Sequence, residues 1–315
     1  VTTMMLAEQA RAPGKVNLFF AAGPPRPDGY HDVASLYCAV SAAETVTATL
    51  TRGDGIAVDV AAVPGSLVDQ QIAAGTFSLD TVPTGAANLA VRAARAVLER
   101  FPRLIGGLHL RIDKAVPVAG GMGGGSADAA AALRAVNRLA ARVSGEPALD
   151  DDALQHLAAG LGADVPFALA GGAAVGTGTG AQLRPAAVGA PLHLVLVADA
   201  AGLSTPAVYA ELDRLRAGTD VPPPALPPEL EPALARGDLG RAAPLLRNDL
   251  QPAALSLAPH LAQTLALGQE AGALASLVSG SGPTVAHVLG GAAAAAALAE
   301  RLRARGRPAL AVQAP

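Results

Sequence analysis

Cysteine is nearly absent from this chain, and tryptophan is missing altogether. The single cysteine, Cys38, excludes an intrachain disulfide and fits a reducing compartment. Aromatic residues make up 3% of the chain against 51% hydrophobic ones, so the core has to be built largely from Ala, Val and Leu. A net charge of −3, with no basic run and no aromatic-interleaved patch, gives no sign of a nucleic-acid partner. No stretch approaches the roughly 20 strongly apolar residues of a membrane span; the alanine tract after Gly291 is short and ends in Glu300-Arg-Leu-Arg. The N-terminal residues lack a basic-then-apolar targeting pattern. The six histidines are dispersed without an i, i+4 pair or a Cys/His cluster, which argues against a structural zinc site. A soluble, cytoplasmic protein is expected, with 315 residues leaving room for two domains.

Lysine is the other scarcity. Of 23 basic residues only Lys15 and Lys114 are lysine, and the rest are arginine. In a chain that favours arginine so strongly, a retained lysine suggests a need for a compact point charge on a flexible stem. Lys15 lies in Ala12-Pro-Gly-Lys-Val-Asn-Leu18, an early strand opened by a Pro-Gly pair. Lys114 is expected to be a solvated surface charge.

Glycine, by contrast, is concentrated. Pro117-Val-Ala-Gly-Gly-Met-Gly-Gly-Gly-Ser-Ala-Asp128 follows Leu108-His-Leu-Arg-Ile112, which alternates apolar and polar residues as a half-buried strand does. Residues from Ser126 to Val143 contain no Gly or Pro and predict a long helix with Ser126 as its cap. A glycine-rich turn feeding a helix N-terminus offers bare N–H groups and partial positive charge to an anion, and a phosphate is the natural guest. No lysine follows the glycines as a Walker loop requires. Ser126 stands where the dinucleotide pattern needs its third glycine, and Asp128 where a hydrolase nucleophile elbow needs one.

Several further segments carry chemistry or turn signals. Pro27-Asp-Gly-Tyr-His-Asp32 is a turn with a phenol beside an imidazole. Leu161-Gly-Ala-Asp-Val-Pro-Phe167 puts Asp164 where a helix cap with proline in the first turn would also fit. Ser279-Gly-Ser-Gly-Pro-Thr284 reads either as a hairpin loop or as a second backbone anion nest. Ser204-Thr-Pro-Ala-Val-Tyr-Ala210 opens a helix whose Tyr209 reads first as a packed core residue. Gly218-Thr-Asp-Val-Pro-Pro-Pro-Ala-Leu-Pro-Pro228 is expected to be an exposed connection. In Gly171–Gly180 the glycines suggest close strand packing or a bulge.

Pro13-Gly-Lys-Val-Asn-Leu18, the Pro117–Asp128 loop and Ser279–Thr284 together resemble, in order, the three motifs of the GHMP small-molecule kinases. Pro27-Asp-Gly-Tyr-His31 and Leu161-Gly-Ala-Asp-Val-Pro-Phe167 narrow the resemblance to the branch acting on a cytidylyl methylerythritol of the non-mevalonate isoprenoid route. Another GHMP kinase acting on homoserine or a sugar, or a non-catalytic nucleotide-binding regulator, remains as an alternative. The resemblance spans about Arg11 to Val288. It implies an α+β, two-lobed fold with the active site in the cleft between the lobes. A first domain over 1–165 would supply Lys15 and the glycine loop, and a second over 166–315 would bring Tyr209 and Ser279–Thr284.

The resemblance also implies roles. ATP would be held by Pro117, Val118, Ala119, Gly120, Gly121, Met122, Gly123, Gly124, Gly125, Ser126 and Ala127, with Asn88 by the adenine. Asp164 would take the proton of the substrate's C2 hydroxyl, and Lys15 beside it would offset the charge of the transferring phosphoryl group. The substrate would meet Asn17, Tyr30, His31 and Tyr209, with His31 supplying hydrogen bonds to the cytosine edge and the tyrosines closing on its faces. Mg²⁺ is expected with ATP; its protein ligands are unknown, Ser126 being a candidate. Asp128 and Gln251 stand where many relatives carry Asn and Glu, which leaves the phosphate contact near Asp128 open. The expected partner is the small-molecule substrate, with no nucleic acid, no membrane, and at most a weak homodimer in place of a monomer.

Overall fold

The computed structural model describes residues 6–104, 106–200 and 202–315. Among these residues the strands are β1 (Ala7–Pro25), β2 (His31–Thr51), β3 (Ile56–Ala62), β4 (Gly107–Lys114), β5 (Ala173–Thr177), β6 (Gln182–Pro185), β7 (Leu192–Val197), β8 (Arg247–Asn248), β9 (Ala275–Val278), β10 (Val285–Leu289) and β11 (Ala309–Ala314). Two compact units form, and neither is one continuous stretch of sequence. The first holds the chain up to Gly14, Ala42–Val118 and Gly123–Ala170; the second holds Lys15–Ser41, Ala119–Met122 and Gly171–Pro315. Where a division at 165/166 was expected to leave Lys15 with the first domain, Lys15 packs within the second unit. β1 and β2 are long enough for each to contribute one end to each unit.

In the first unit β4 runs antiparallel to the later half of β2, from Thr45↔Asp113 to Thr51↔Gly107, and parallel to β3. Its alternation is the one the sequence predicts: Leu108, Leu110 and Ile112 are buried, with Arg111 turned outward. Against this sheet packs an alanine-rich core, including Ala129–Ala132, Ala135 and Ala140 of the helix Gly124–Ser144 and Ala90, Ala93 and Ala94 of the helix Leu89–Leu98. Small side chains allow close approach of the two helices in a core nearly without aromatics. Gly123 and Gly145, both left-handed at φ 69° and 73°, bracket the long helix. Ser126 is therefore not the cap; it lies inside the first turn, because a left-handed glycine starts the helix earlier.

In the second unit the first half of β2 pairs antiparallel with β5, β5 with β6, and β1 parallel with β8 through Phe19↔Arg247 and Phe20↔Asn248. A separate sheet has the order β11-β7-β10-β9, with all its pairs antiparallel. Ser279–Thr284 connects β9 to β10 and is thus the hairpin loop of the two earlier readings. Residues 216–228 carry no regular structure, as their prolines predict. Gly176 and Gly180 make room for Tyr37: a Cβ at either would lie 2.6 Å from Tyr37 Cε2 or 2.9 Å from its hydroxyl. No helix among the described residues is long and apolar enough to cross a membrane.

Candidate active site

The glycine loop turns through left-handed backbone at Ala119, Gly121 and Gly123, with φ of 53°, 76° and 69°. Ala119 is the one non-glycine residue with positive φ among the described residues, a local strain of about 1 kcal/mol. The crest is held by neighbours from distant sequence. Met122 O accepts from Lys15 N at 3.0 Å and Gly120 O from Thr284 N at 3.2 Å. Ser279 Oγ donates to Gly121 O at 3.3 Å. A side chain at Gly121 would sit on the Ser279 carbonyl oxygen, so this glycine is required by close approach as well as by its φ. The first N–H groups of the helix Gly124–Ser144 have no acceptor within the helix, and no side chain caps them. Such a terminus is suited to phosphate oxygens.

Lys15 extends from β1 into the same region. It is buried, its Nζ donates to Asn17 Oδ1 at 2.7 Å, and it lies 5.6 Å from the centre of the Tyr37 ring. Asn17 Nδ2 in turn donates to Ser35 Oγ at 2.7 Å, and Ser35 Oγ donates to Phe19 O. This fixes which way the amide faces. Asn17 N also donates to Ser279 Oγ at 3.3 Å, so one hydroxyl links Asn17 to the crest at Gly121. Gly280, at φ 56°, brings its backbone beside this pair: a Cβ there would lie 3.1 Å from Asn17 Oδ1 and 3.5 Å from Lys15 Nζ. The structure thus gathers Lys15, Asn17, Gly121 and the Ser279–Thr284 turn.

In the first unit, Asp164 is half-buried and immediately precedes the helix Val165–Ala170; its carbonyl accepts from Ala168 N at 3.0 Å, with Pro166 in the first turn. Asn88 caps the helix Leu89–Leu98 through Oδ1, which accepts from Ala90 N at 2.8 Å, while its Nδ2 donates to Pro83 O. The next residue, Leu89, lies 3.6 Å from where a Gly125 Cβ would be, so the Asn88 cap stands beside the start of the loop helix.

Tyr30 and His31 part company. Tyr30 is 65% exposed at the end of the Pro27–Gly29 turn, whereas His31 opens β2 and is buried. The His31 ring stacks obliquely on Tyr209, centroids 4.8 Å apart, with Nδ1 2.9 Å from Gly23 O and Nε2 3.4 Å from Asp213. Tyr209 and Asp213 are one turn apart on the helix Thr205–Leu215 and so reach the same imidazole. Both ring nitrogens of His31 thus face protein groups.

Lys114 is not the expected surface charge. It is 1% exposed and donates to Glu44 Oε1 and Asp128 Oδ2, both at 2.7 Å. The other Glu44 oxygen accepts from Ala115 N at 2.8 Å, and Asp128 Oδ1 has no hydrogen-bond partner. Burial, then the charge of Asp128, pushes the Glu44 carboxyl up to about 8 against the pull of Lys114. Burial raises Asp128 too. Burial works against the Lys114 ammonium, but the two carboxylates outweigh it and hold its pKa up. The open question about Asp128 is answered in part: its carboxylate is bound to Lys114.

Sequence reasoning passed over Asn248 as a structural element. Its Nδ2 donates to Val278 O and Gly280 O, both at 2.7 Å, fixing the start of the Ser279–Thr284 turn. Gln251 accepts from Val278 N at 2.9 Å, a bond that a glutamate would also make.

Residues 88–172 match the GHMP kinases N terminal domain and residues 230–308 the GHMP kinases C terminal domain. A 4-diphosphocytidyl-2-C-methyl-D-erythritol kinase of Pseudarthrobacter chlorophenolicus is 49% identical over 312 residues, 98% of this chain and 92% of the relative. One of the same description from Streptomyces coelicolor is 48% identical over 296 residues, 94% and 92% of the two chains. A crystal structure of 4-(cytidine 5'-diphospho)-2C-methyl-D-erythritol kinase superposes with a TM-score of 0.73 at 32% identity, covering 97% of this chain and 98% of the other. A crystal structure of L. major mevalonate kinase in complex with R-mevalonate shares the fold at a TM-score of 0.72 and 18% identity, covering 99% and 97%.

Proposed function

Because this chain belongs to the GHMP kinases, we propose that it transfers the γ-phosphoryl group of ATP to the C2 hydroxyl of 4-diphosphocytidyl-2-C-methyl-D-erythritol. The products are ADP and the 2-phosphate, in the non-mevalonate route to isoprenoid precursors. The observation that carries the reading is the chain of contacts from Lys15 through Asn17 and Ser279 to the loop crest at Gly121. It ties a buried ammonium to the backbone that meets phosphate. The relatives at 48–49% identity supply the acceptor.

In this reading residues Pro117–Ala127 wrap the ATP phosphates, the unpaired N–H groups of the helix start facing the oxygens. The Asn88 cap, beside Gly125, lines the adenine side. Asp164 accepts the C2 hydroxyl proton as that oxygen attacks phosphorus, and Lys15 offsets the negative charge that builds up in transfer. Asn17 orients Lys15 by its amide. Tyr30 and Tyr209 offer ring faces to the cytosine, and His31, whose ring is set by Gly23 and Tyr209, supplies hydrogen bonds to the base edge. Burial pushes the Cys38 thiol up to about 12 and keeps it out of the chemistry.

Mg²⁺ belongs with the nucleotide. Among the described residues no three His, Cys, Asp or Glu side chains gather to hold an ion, and Asp128 is bound to Lys114. Mg²⁺ prefers phosphate and water ligands, and Ser126, in the first turn of the loop helix, is the candidate protein ligand. When bound, it neutralises charge on the β- and γ-phosphates.

The test is ATP consumption with the cytidylyl methylerythritol compared with homoserine, mevalonate and galactose. Turnover is expected only with the first. Asp164→Asn is expected to bind an ATP analogue as the wild type does while kcat falls about 10²–10⁴-fold, the usual contribution of a positioned base. Near-normal turnover of that variant would remove the base assignment.

A further inference from the structure

We propose that Glu44, Lys114 and Asp128 are positioning residues for the nucleotide, a buried clasp that fixes the two ends of the glycine loop. The inference rests on ATP being the guest of that loop. Lys114 is the last residue of β4, before the loop; Asp128 lies in the second turn of the helix that follows it. Their 2.7 Å bond bridges fourteen positions and closes a ring around the whole glycine stretch. Glu44, from the neighbouring strand β2, completes the clasp on the other side, accepting from both Lys114 Nζ and Ala115 N. The start of the loop helix is packed on the same group. A Cβ at Gly124 would lie 3.4 Å from Glu44 Oε1, 3.0 Å from Val116 O and 3.1 Å from Pro117 O.

Stability alone does not account for this cluster. Three ionisable side chains at 0–5% side-chain exposure lose their hydration, and buried ion networks of this kind are often no more stable than apolar residues of the same volume. Asp128 Oδ1 adds a buried oxygen without a partner. What the network supplies is geometry. An aliphatic core would allow the strand end and the helix start to slide, whereas two short charged bonds at Lys114 set their separation. The loop between them turns through left-handed backbone at three positions, so its path depends on where its ends are held as well as on the contacts at its crest.

The decisive variant is Asp128→Ala. It opens the clasp while leaving Lys114 paired one to one with Glu44, so no uncompensated charge is stranded. Asp128→Asn is the conservative partner, since its amide oxygen still accepts from Lys114. Affinity for a non-hydrolysable ATP analogue is measured by calorimetry, together with KM for each substrate and the thermal midpoint. Asp128→Ala is expected to bind the analogue at least tenfold more weakly, with KM for the cytidylyl alcohol within twofold of wild type. Asp128→Asn is expected to restore analogue affinity to within threefold. The proposal is overturned if folded Asp128→Ala binds the analogue like wild type, or if both substrates weaken in parallel with the thermal midpoint. Analogue binding needs no phosphoryl acceptor. A wild type that binds the analogue but leaves the cytidylyl alcohol untouched therefore rejects the acceptor assignment and not the clasp.

Discussion

The two lysines of the chain are both buried, yet the contacts they make differ. Lys114 donates to two carboxyl groups at 2.7 Å and sits in a cluster of two acidic side chains and one basic one. Lys15 donates to a neutral amide oxygen at 2.7 Å and lies over an aromatic ring. In the first case the ammonium is committed within the protein, and what it supplies is position. In the second the Asn17 amide orients the ammonium beside the turn at Gly280. A retained lysine in an arginine-rich chain therefore marks a demand for a compact cation in both places, but for different purposes.

Substituting arginine at each position separates these purposes. Lys15→Arg is expected to keep the thermal midpoint and lose about 10²–10³ in kcat, the scale of removing one aligned electrostatic contact from a transition state. The guanidinium is planar and larger, and next to Gly280, where a Cβ would already be 3.5 Å from Nζ, it cannot reproduce the ammonium's place. Lys114→Arg is expected to do the reverse. With side-chain exposures of 0–5% around it, the fork has no room, and breaking a buried pair of this sort costs about 3–5 kcal/mol of stability. Denaturant titration alongside steady-state kinetics reads both. Equal losses of stability in the two variants would erase the distinction.

Much of this was readable in the chain. The strand before the loop, the loop itself, the turn at Ser279–Thr284 and the Asp164 segment lie where the sequence motifs put them. The burial of Lys114 could also have been read: Leu108, Leu110 and Ile112 share one face of β4, and continuing the same period of two puts residue 114 inward. Glu44 follows the same rule with Ala42, Val46 and Ala48 on β2. The general expectation that lysines are exposed prevailed over the local pattern, and the pattern was right. Other features had no local signal. The Asn17–Ser279 contact joins residues 262 positions apart, and no spacing rule reaches that far. The non-contiguous units follow from two strands, β1 and β2, each longer than one unit needs. The Gly123 cap was hidden because Ser126 satisfies the usual cap preference, while the glycine takes a left-handed φ that is invisible in a run of glycines.

The crest that Lys15 helps hold offers a smaller perturbation. Gly121→Ala places a methyl group on the Ser279 carbonyl oxygen and asks alanine to adopt a φ of 76°. The turn must shift, taking with it the hydroxyl that links Gly121 to Asn17. About a tenfold lower kcat/KM for ATP is expected, in keeping with a strain and contact loss of one to two kcal/mol. Gly75→Ala is the control: it has a similar positive φ of 68° but open space around it. If both substitutions lower kcat/KM equally, the close approach at Gly121 has no special role.

The smallest effect concerns pH, and it isolates the Lys114 cluster from the Lys15 one. The Glu44 carboxyl ordinarily titrates near 4.5 and is raised to about 8 in the folded protein by burial and by Asp128. The folded state then holds more protons than the unfolded state between those values, so stability falls as pH rises through that window. His287 acts in the opposite sense lower down. Burial depresses it from 6.5 to about 4, so its contribution is lost as pH falls through that lower range. Between pH 6.5 and 8 the His287 effect is complete and the Glu44 effect remains, with a slope of at most about 1.4 kcal/mol per pH unit for one proton. Denaturant-derived unfolding free energies are expected to decline across this window in wild type and in Lys15→Met. In Glu44→Gln they are expected to be nearly flat, because Lys114 then faces Asp128 alone and the cluster no longer exchanges a proton there. A decline of equal slope in Glu44→Gln would assign the titration elsewhere and leave the two lysines alike in this respect.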